Sequence, residues 1–139
     1  MRAVFADTGY WIALLNRGDA LHAKATTVSA ALGSTRIVTT EAVLTELLNN
    51  FSEKGSALRA AAAKLVEALQ TDPNSKVVPL SRIQFRSGLK DFTSYKDKSW
   101  SHTDCVSFQI MREDKLTDAL TYDKHFEQAG FRALLRETS

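Results

Sequence analysis

The stretch TDALTYDKHFEQAGF, residues 117–131, passes from a short apolar run, ALTY, into Asp123 and then into a helical pattern that stops at Gly130. Read by itself, the acid at this corner is an ordinary helix N-cap, accepting backbone N–H groups at the positive end of the helix dipole. It gains a second meaning only if other strands deliver acids to the same place. Residues 3–16 do so: AVFA runs into Asp7, which opens the helical pattern TGYWIALLN.

Between these corners the chain keeps one rhythm. Short runs rich in β-formers, AVFA (3–6), RIVTT (36–40), KVVPL (76–80), DALTY (118–122) and RALLR (132–136), are expected as strands. Helical patterns separate them: TGYWIALLNR, DALHAKATTVSAALG ending at Gly33, EAVLTELLNNFSEK, SALRAAAAKLVEALQ ending at TDPNS, SRIQFRSGLKDF, HTDCVSFQIMRED and KHFEQAG. Strands alternating with helices imply parallel pairing through right-handed crossovers, hence a three-layer α/β/α sandwich around a small parallel sheet of four or five strands. In such sheets ligands gather beyond the carboxyl ends of the strands, where strand order reverses.

Composition sets bounds on this reading. A chain of 139 residues, 44% hydrophobic and 24% charged, fits one domain over residues 1–139 with room for a core. A formal charge of +2 permits contact with nucleic acid without arguing for it. The single Cys105 excludes an internal disulfide framework, and three scattered histidines offer no zinc spacing, so a reducing cytoplasm is the expected location. The opening MRAVFADTGYWIALLNR is too short to span a membrane, and Asp7 interrupts its apolar run, so it reads as folded structure.

Four acids stand out, each with an ordinary explanation. Asp7 and Asp123 follow strands and suit N-caps. Glu46 lies about 60° beyond the apolar arc formed by Val43, Leu44, Leu47, Leu48 and Phe51, where a solvated acid would also sit; Glu41, in the first turn, is its rival as a dipole partner. Asp104 shares the i, i+4, i+7 stripe of Phe108 and Met111 on a helix that Val106 and Ile110 make apolar elsewhere, with Ser101 and Thr103 as rival caps. A carboxylate near a buried stripe requires a partner. Parallel topology would gather these corners on one sheet edge, and four carboxylates there would repel one another unless cations sit among them. All-oxygen ligation favours Mg²⁺ or Mn²⁺ over zinc, and carboxylates holding such an ion at an open site suit phosphodiester hydrolysis.

The segments VFADTGYWIALLN (4–16), IVTTEAVLTELLN (37–49), WSHTDCVSFQIM (100–111) and LTYDKHFEQAGF (120–131) resemble, in order and spacing, the four acidic motifs of PIN-domain ribonucleases, especially the bacterial VapC-type toxins. The resemblance covers essentially the whole chain and implies a Rossmann-like fold. It implies Asp7 as the first metal ligand with Thr8 in the hydroxyl position after it, and Glu46 as the second acid. Asp104 would be the third acid, sharing the metal with Asp7, and Asp123 the fourth, water-mediated or bound to a second metal, with Thr121 as a supporting hydroxyl. His102 departs from the pattern, standing where an apolar residue is more usual. The implied activity is Mg²⁺- or Mn²⁺-dependent endonucleolytic cleavage of RNA by a metal-activated water, leaving a 5′-phosphate. The implied partners are a second copy in a homodimer and a cognate antitoxin that presses a basic side chain into the acidic site.

Other features carry two readings. Arg86, Lys90, Lys96 and Lys98 interleave with Phe92, Tyr95 and Trp100, which suits single-stranded RNA or, equally, an amphipathic helix and a solvated loop. Tyr10, Trp11, Leu14 and Leu15 are expected in the core rather than at a dimer surface. His22 and His125 read as structural, and Cys105 as an inert buried thiol. A haloacid-dehalogenase-like phosphatase would need a second Asp where Gly9 stands; a receiver-like domain would need paired acids after the first strand. A PIN-like module that binds without cutting, or a housekeeping nuclease outside a toxin–antitoxin pair, remains the alternative.

Overall fold

Val4, Phe5 and Ala6 are three successive residues without solvent exposure, so the strand that carries them is covered on both faces and must be central in its sheet. The structure, a computed structural model, describes residues 2–138 and bears this out. The strands are β1 (Ala3–Ala6), β2 (Arg36–Thr40), β3 (Ser75–Val78), β4 (Asp118–Leu120) and β5 (Arg132–Ala133), in the order β3-β2-β1-β4-β5. All four pairings are parallel.

The helices are α1 (Thr8–Leu15), α2 (His22–Leu32), α3 (Glu41–Asn50), α4 (Ser56–Thr71), α5 (Arg82–Ser94), α6 (His102–Glu113) and α7 (Lys124–Gln128). The chain steps from β1 to β2 to β3 in one direction, then returns past β1 to lay down β4 and β5 on the other side. Right-handed crossovers therefore set α1–α4 on one face and α5–α7 on the other. The packing agrees: α1 lies against α2 and α3, α3 against α4, α5 against α6, and α6 against α7. The expected three-layer α/β/α architecture is the one found. Strand order reverses between β1 and β4, so the crevice at their carboxyl ends is the place for a ligand.

Element ends differ from the sequence reading for local reasons. The strand expected over 76–80 runs from Ser75 and stops at Val78, ahead of Pro79, which has no N–H to give the ladder. The strand expected over 118–122 stops at Leu120, after which the Thr121 hydroxyl donates to Asp7 at the end of β1 and accepts the Asp123 N–H. The run 132–136 keeps only two strand residues; Leu134 and Leu135 are both buried, which a pleated strand with one covered face cannot do, and a 3₁₀ turn over Leu134–Arg136 achieves it.

Aromatic rings fill the layer between the sheet and α6. Trp100 meets Phe108 edge-on at 5.0 Å, Phe108 meets Phe126 edge-on at 4.9 Å, and Phe126 leans on Phe5 of β1 at 6.1 Å. On the opposite face Tyr10 and Trp11 are buried, as core residues rather than surface ones. Gly88 lets α5 approach α6 closely, since a Cβ there would stand 2.6 Å from Val106 Cγ2.

Candidate metal centre

At the reversal of strand order the two central strands run on together by one residue: the Asp7 N–H donates to the Leu120 carbonyl at 3.2 Å. Asp7 occupies the N-cap position of α1, yet its carboxylate makes no capping bond. Instead Oδ2 accepts the Thr121 hydroxyl at 2.9 Å, and the same hydroxyl oxygen accepts the Asp123 N–H at 3.0 Å. Thr121 thus ties the acid after β1 to the acid after β4. Asp123 does cap α7, its Oδ1 accepting the His125 N–H at 2.9 Å.

Asp104 arrives from the other layer in a capping box. Its Oδ2 accepts the Ser101 N–H, and its own N–H donates to the Ser101 hydroxyl, each at 3.0 Å. Glu46 reaches in from α3, a helix started by the Thr40 hydroxyl accepting the Val43 N–H. Its Oε1 accepts the Thr8 hydroxyl at 2.8 Å. Glu41, the rival acid, is engaged elsewhere: its Oε1 accepts the Leu80 N–H at 2.8 Å and anchors the segment after β3.

Asp7, Thr8, Glu46, Asp104, Thr121 and Asp123 line one open cleft of about 390 Å³, together with Gly9, Ser99, Ser101 and His125. Among the described residues no lysine or arginine lines it. The acids feel this. Burial pushes the Asp7 carboxyl up to about 7; the Thr8 N–H and Thr121 hydroxyl pull it partly back, and the charges of Asp104 and Asp123 push it further. Asp104 is raised as well, by burial first and by Asp123, against the opposing hydrogen bonds from Ser101 and His125.

The donor set fits a hard divalent cation. Each acid accepts a hydrogen bond at one named oxygen, Asp7 Oδ2, Glu46 Oε1, Asp104 Oδ2 and Asp123 Oδ1, which orients the carboxylate, and its second oxygen is one that could serve a cation. The tightest grouping consists of Asp104, Asp123 and His125, whose donor atoms lie within 4.8 Å of one another; Asp7 and Glu46 share the cleft but stand outside that group.

His125 is therefore the residue that the sequence reading missed. It was expected to be structural, but its Nδ1 lies 3.0 Å from Asp104 Oδ2 and 3.3 Å from Asp123 Oδ1. The available signal was its place two residues after Asp123, in the first turn of the helix the acid caps. The other histidines behave differently. His22 donates Nδ1–H to the Ala13 carbonyl at 2.7 Å, and His102 donates Nε2–H to the Phe85 carbonyl at 2.9 Å, facing α5 rather than the acids. Cys105 is fully buried, and burial pushes its thiol up to about 11.

The basic residues form no part of the cleft. Arg86 and Lys90 lie on the exposed side of α5 beside Leu89 and Thr93, Lys96 is exposed, and Lys98 pairs with Asp97 at 3.3 Å. Of the interleaved rings, Phe92 and Tyr95 are exposed, while Trp100 is buried against Phe108.

A family profile described as "PIN domain" matches residues 4–132. The chain is 28% identical over 131 residues to the "23S rRNA-specific endonuclease VapC20" of Mycobacterium tuberculosis, in both strain CDC 1551 / Oshkosh and strain ATCC 25618 / H37Rv; the match covers 92% of this chain and 95% of the relative. It is also similar to the crystal structure of Mycobacterium tuberculosis VapC20, described as a sarcin-ricin loop cleaving toxin. There the TM-score is 0.82 at 27% identity, again over 92% of this chain and 95% of that one.

Proposed function

The chain belongs to the PIN-domain family, and from that membership we propose that it is an endoribonuclease dependent on Mg²⁺ or Mn²⁺, the toxin of a toxin–antitoxin pair, with residues 1–139 forming a single domain. The observation that carries the reading is the convergence of Asp7, Glu46, Asp104 and Asp123 on one cleft that no lysine or arginine lines among the described residues. Asp7 and Asp104 would hold the first cation between β1 and α6, with Glu46 and Asp123 completing the acidic ring. When bound, such a cation lowers the pKa of a water and offsets charge on the phosphate under attack.

The chain's own groups do the positioning. Thr121 and Thr8 each donate a hydroxyl to an acid and hold its rotamer. Burial pushes the Asp7 carboxyl up to about 7, and ligation would require the carboxylate, so cation affinity is expected to strengthen as pH rises through that value. The exposed cations Arg86, Lys90 and Lys96, with the partly exposed Lys98, would follow an RNA backbone, and the exposed rings of Phe92 and Tyr95 would stack on bases. The mycobacterial relative's named target makes 23S rRNA the first substrate to try. A homodimer, a cognate antitoxin and a cytoplasmic location belong to the same reading; among the described residues no helix is long and apolar enough to cross a membrane.

The test is cleavage of ribosomal and other RNA by purified protein with Mn²⁺ and with EDTA. Asp104→Asn is expected to abolish Mn²⁺-dependent cleavage while leaving the fold intact, and Glu41→Gln to retain it. Cleavage that persists in EDTA, or in Asp104→Asn at the parent rate, refutes the assignment.

A further inference from the structure

Asp104 and Asp123 come from different elements, the first turn of α6 and the corner between β4 and α7, yet their oxygens lie within 4.8 Å of each other. Two carboxylates so close repel unless something donates to both. His125 is that donor. Its main-chain N–H reaches Asp123 Oδ1 at 2.9 Å, and its ring Nδ1 lies 3.0 Å from Asp104 Oδ2 and 3.3 Å from Asp123 Oδ1. An ionised carboxylate only accepts, so Nδ1 carries the hydrogen. One residue thereby grips two acids, each through a single oxygen.

The grip is itself braced. Phe126, the next residue, is fully buried and stands edge-on to Phe108, four residues after Asp104 on the same helix. Further along α7, Gln128 Oε1 accepts the indole N–H of Trp100 at 3.0 Å, just ahead of the Ser101 cap that holds Asp104. Contacts on either side of His125 therefore fix α7 against α6, and the imidazole needs little rearrangement to meet the acid.

We propose that His125 is a positioning residue: its Nδ1–H, together with its backbone N–H, sets the spacing and orientation of Asp104 and Asp123 for a divalent cation. The inference rests on the metal-binding reading given above. It requires a hydrogen-bond donor at one particular point of space, the Nδ1 position, rather than an imidazole as such.

That requirement makes the test sharp. The amide nitrogen of Asn can stand near the place of Nδ1, whereas that of Gln extends towards the place of Nε2, and both side chains are polar and of similar bulk. Full-length parent, His125→Asn, His125→Gln and His125→Ala proteins are titrated with MnCl₂, following the unfolding midpoint and, by calorimetry, the binding isotherm. RNA cleavage is measured over the same Mn²⁺ range. His125→Asn is expected to bind Mn²⁺ within about threefold of the parent, and His125→Gln and His125→Ala roughly 10- to 100-fold more weakly. Cleavage by the weakened variants is expected to recover towards the parent rate as Mn²⁺ is raised, and midpoints in EDTA report whether each variant is folded. Parent-like Mn²⁺ binding by both His125→Gln and His125→Ala overturns the proposal. So does His125→Asn binding as weakly as His125→Ala, which would make the ring itself the ligand. A parent that shows no response to Mn²⁺ overturns the metal centre and this proposal with it, whereas a responsive parent with equally responsive Gln and Ala variants overturns this proposal alone.

Discussion

Asp7→Asn is expected to stabilise the protein in EDTA much more at alkaline pH than at pH 4.5. The Asp7 carboxyl is pushed from 3.8 up to about 7, chiefly by burial, and only 9% of the residue is exposed, so solvent screens the effect weakly. Between those two values the folded chain holds a proton that the unfolded chain has released. Because the native state then binds more protons, stability falls as pH rises through this window. The penalty is absent below about pH 4 and complete once the folded carboxyl has ionised. At 1.36 kcal/mol per unit, a displacement of about three units sets an upper figure of ~4 kcal/mol. Asparagine does not titrate, and its side-chain carbonyl can still accept the Thr121 hydroxyl, so a gain of roughly 2–4 kcal/mol at pH 8 is expected against about 1 kcal/mol or less at pH 4.5. Urea unfolding in EDTA at both pH values measures it. Millimolar Mn²⁺ is expected to narrow the gap by stabilising the parent, since a ligand bound only by the folded state adds to its stability. An equal effect of the substitution at the two pH values, or a loss of stability at pH 8, would show that Asp7 is not a carboxylate ionised at the expense of the fold.

Two further substitutions probe the supports of the site. Thr121→Val removes the hydroxyl that donates to Asp7 and accepts the Asp123 N–H, leaving buried polar groups without their partner; a loss of about 1–3 kcal/mol and slower RNA cleavage are expected, read by urea unfolding and initial rates. Unchanged values for both would remove Thr121 from the machinery. Gly88→Ala drives a Cβ to within 2.6 Å of Val106 Cγ2, so Val106 or the spacing of α5 and α6 must shift, at a cost of about 1–3 kcal/mol read by urea unfolding; unaltered stability would mean that the two helices are not held at this spacing.

Much of this architecture was legible because the sequence pattern and the packing obey the same rule. AVFA and RIVTT read as strands, and Val4, Phe5, Ala6, Val38, Thr39 and Thr40 are all buried, as strands covered on both sides must be. Asp7 and Asp123 could be placed on the same edge of the sheet from parallel topology alone; that β1 and β4 are neighbours, which brings the two acids together, is given by the strand order. Strand ends were less legible. DALTY ends early, where the Thr121 hydroxyl donates to Asp7, a partner 114 positions away, and no local pattern announces such a bond.

The choice between Glu41 and Glu46 shows where reading by helix position stops. Both lie on α3, and the dipole argument favours Glu41, in the first turn. Its carboxylate is taken by the Leu80 N–H, a group supplied from beyond β3, whereas the Thr8 hydroxyl at the start of α1 holds Glu46 at the cleft. His125 illustrates the same limit from the opposite side. An isolated histidine without a partner at ligand spacing reads as structural, because spacing along the chain registers only neighbours on one element. Its partners are one acid two residues back and another from a different helix, and the packing of α7 on α6, with Phe126 on Phe108 and Gln128 on Trp100, brings the three together. Two of the acids can be listed from the strand ends that deliver them, but the orientation of all four carboxylates is set by hydrogen-bond donors, Ser101 from Asp104's own capping box and Thr8, Thr121 and His125 reaching across from other segments. Substituting those donors, rather than the acids themselves, is what separates a built metal centre from a mere accumulation of negative charge.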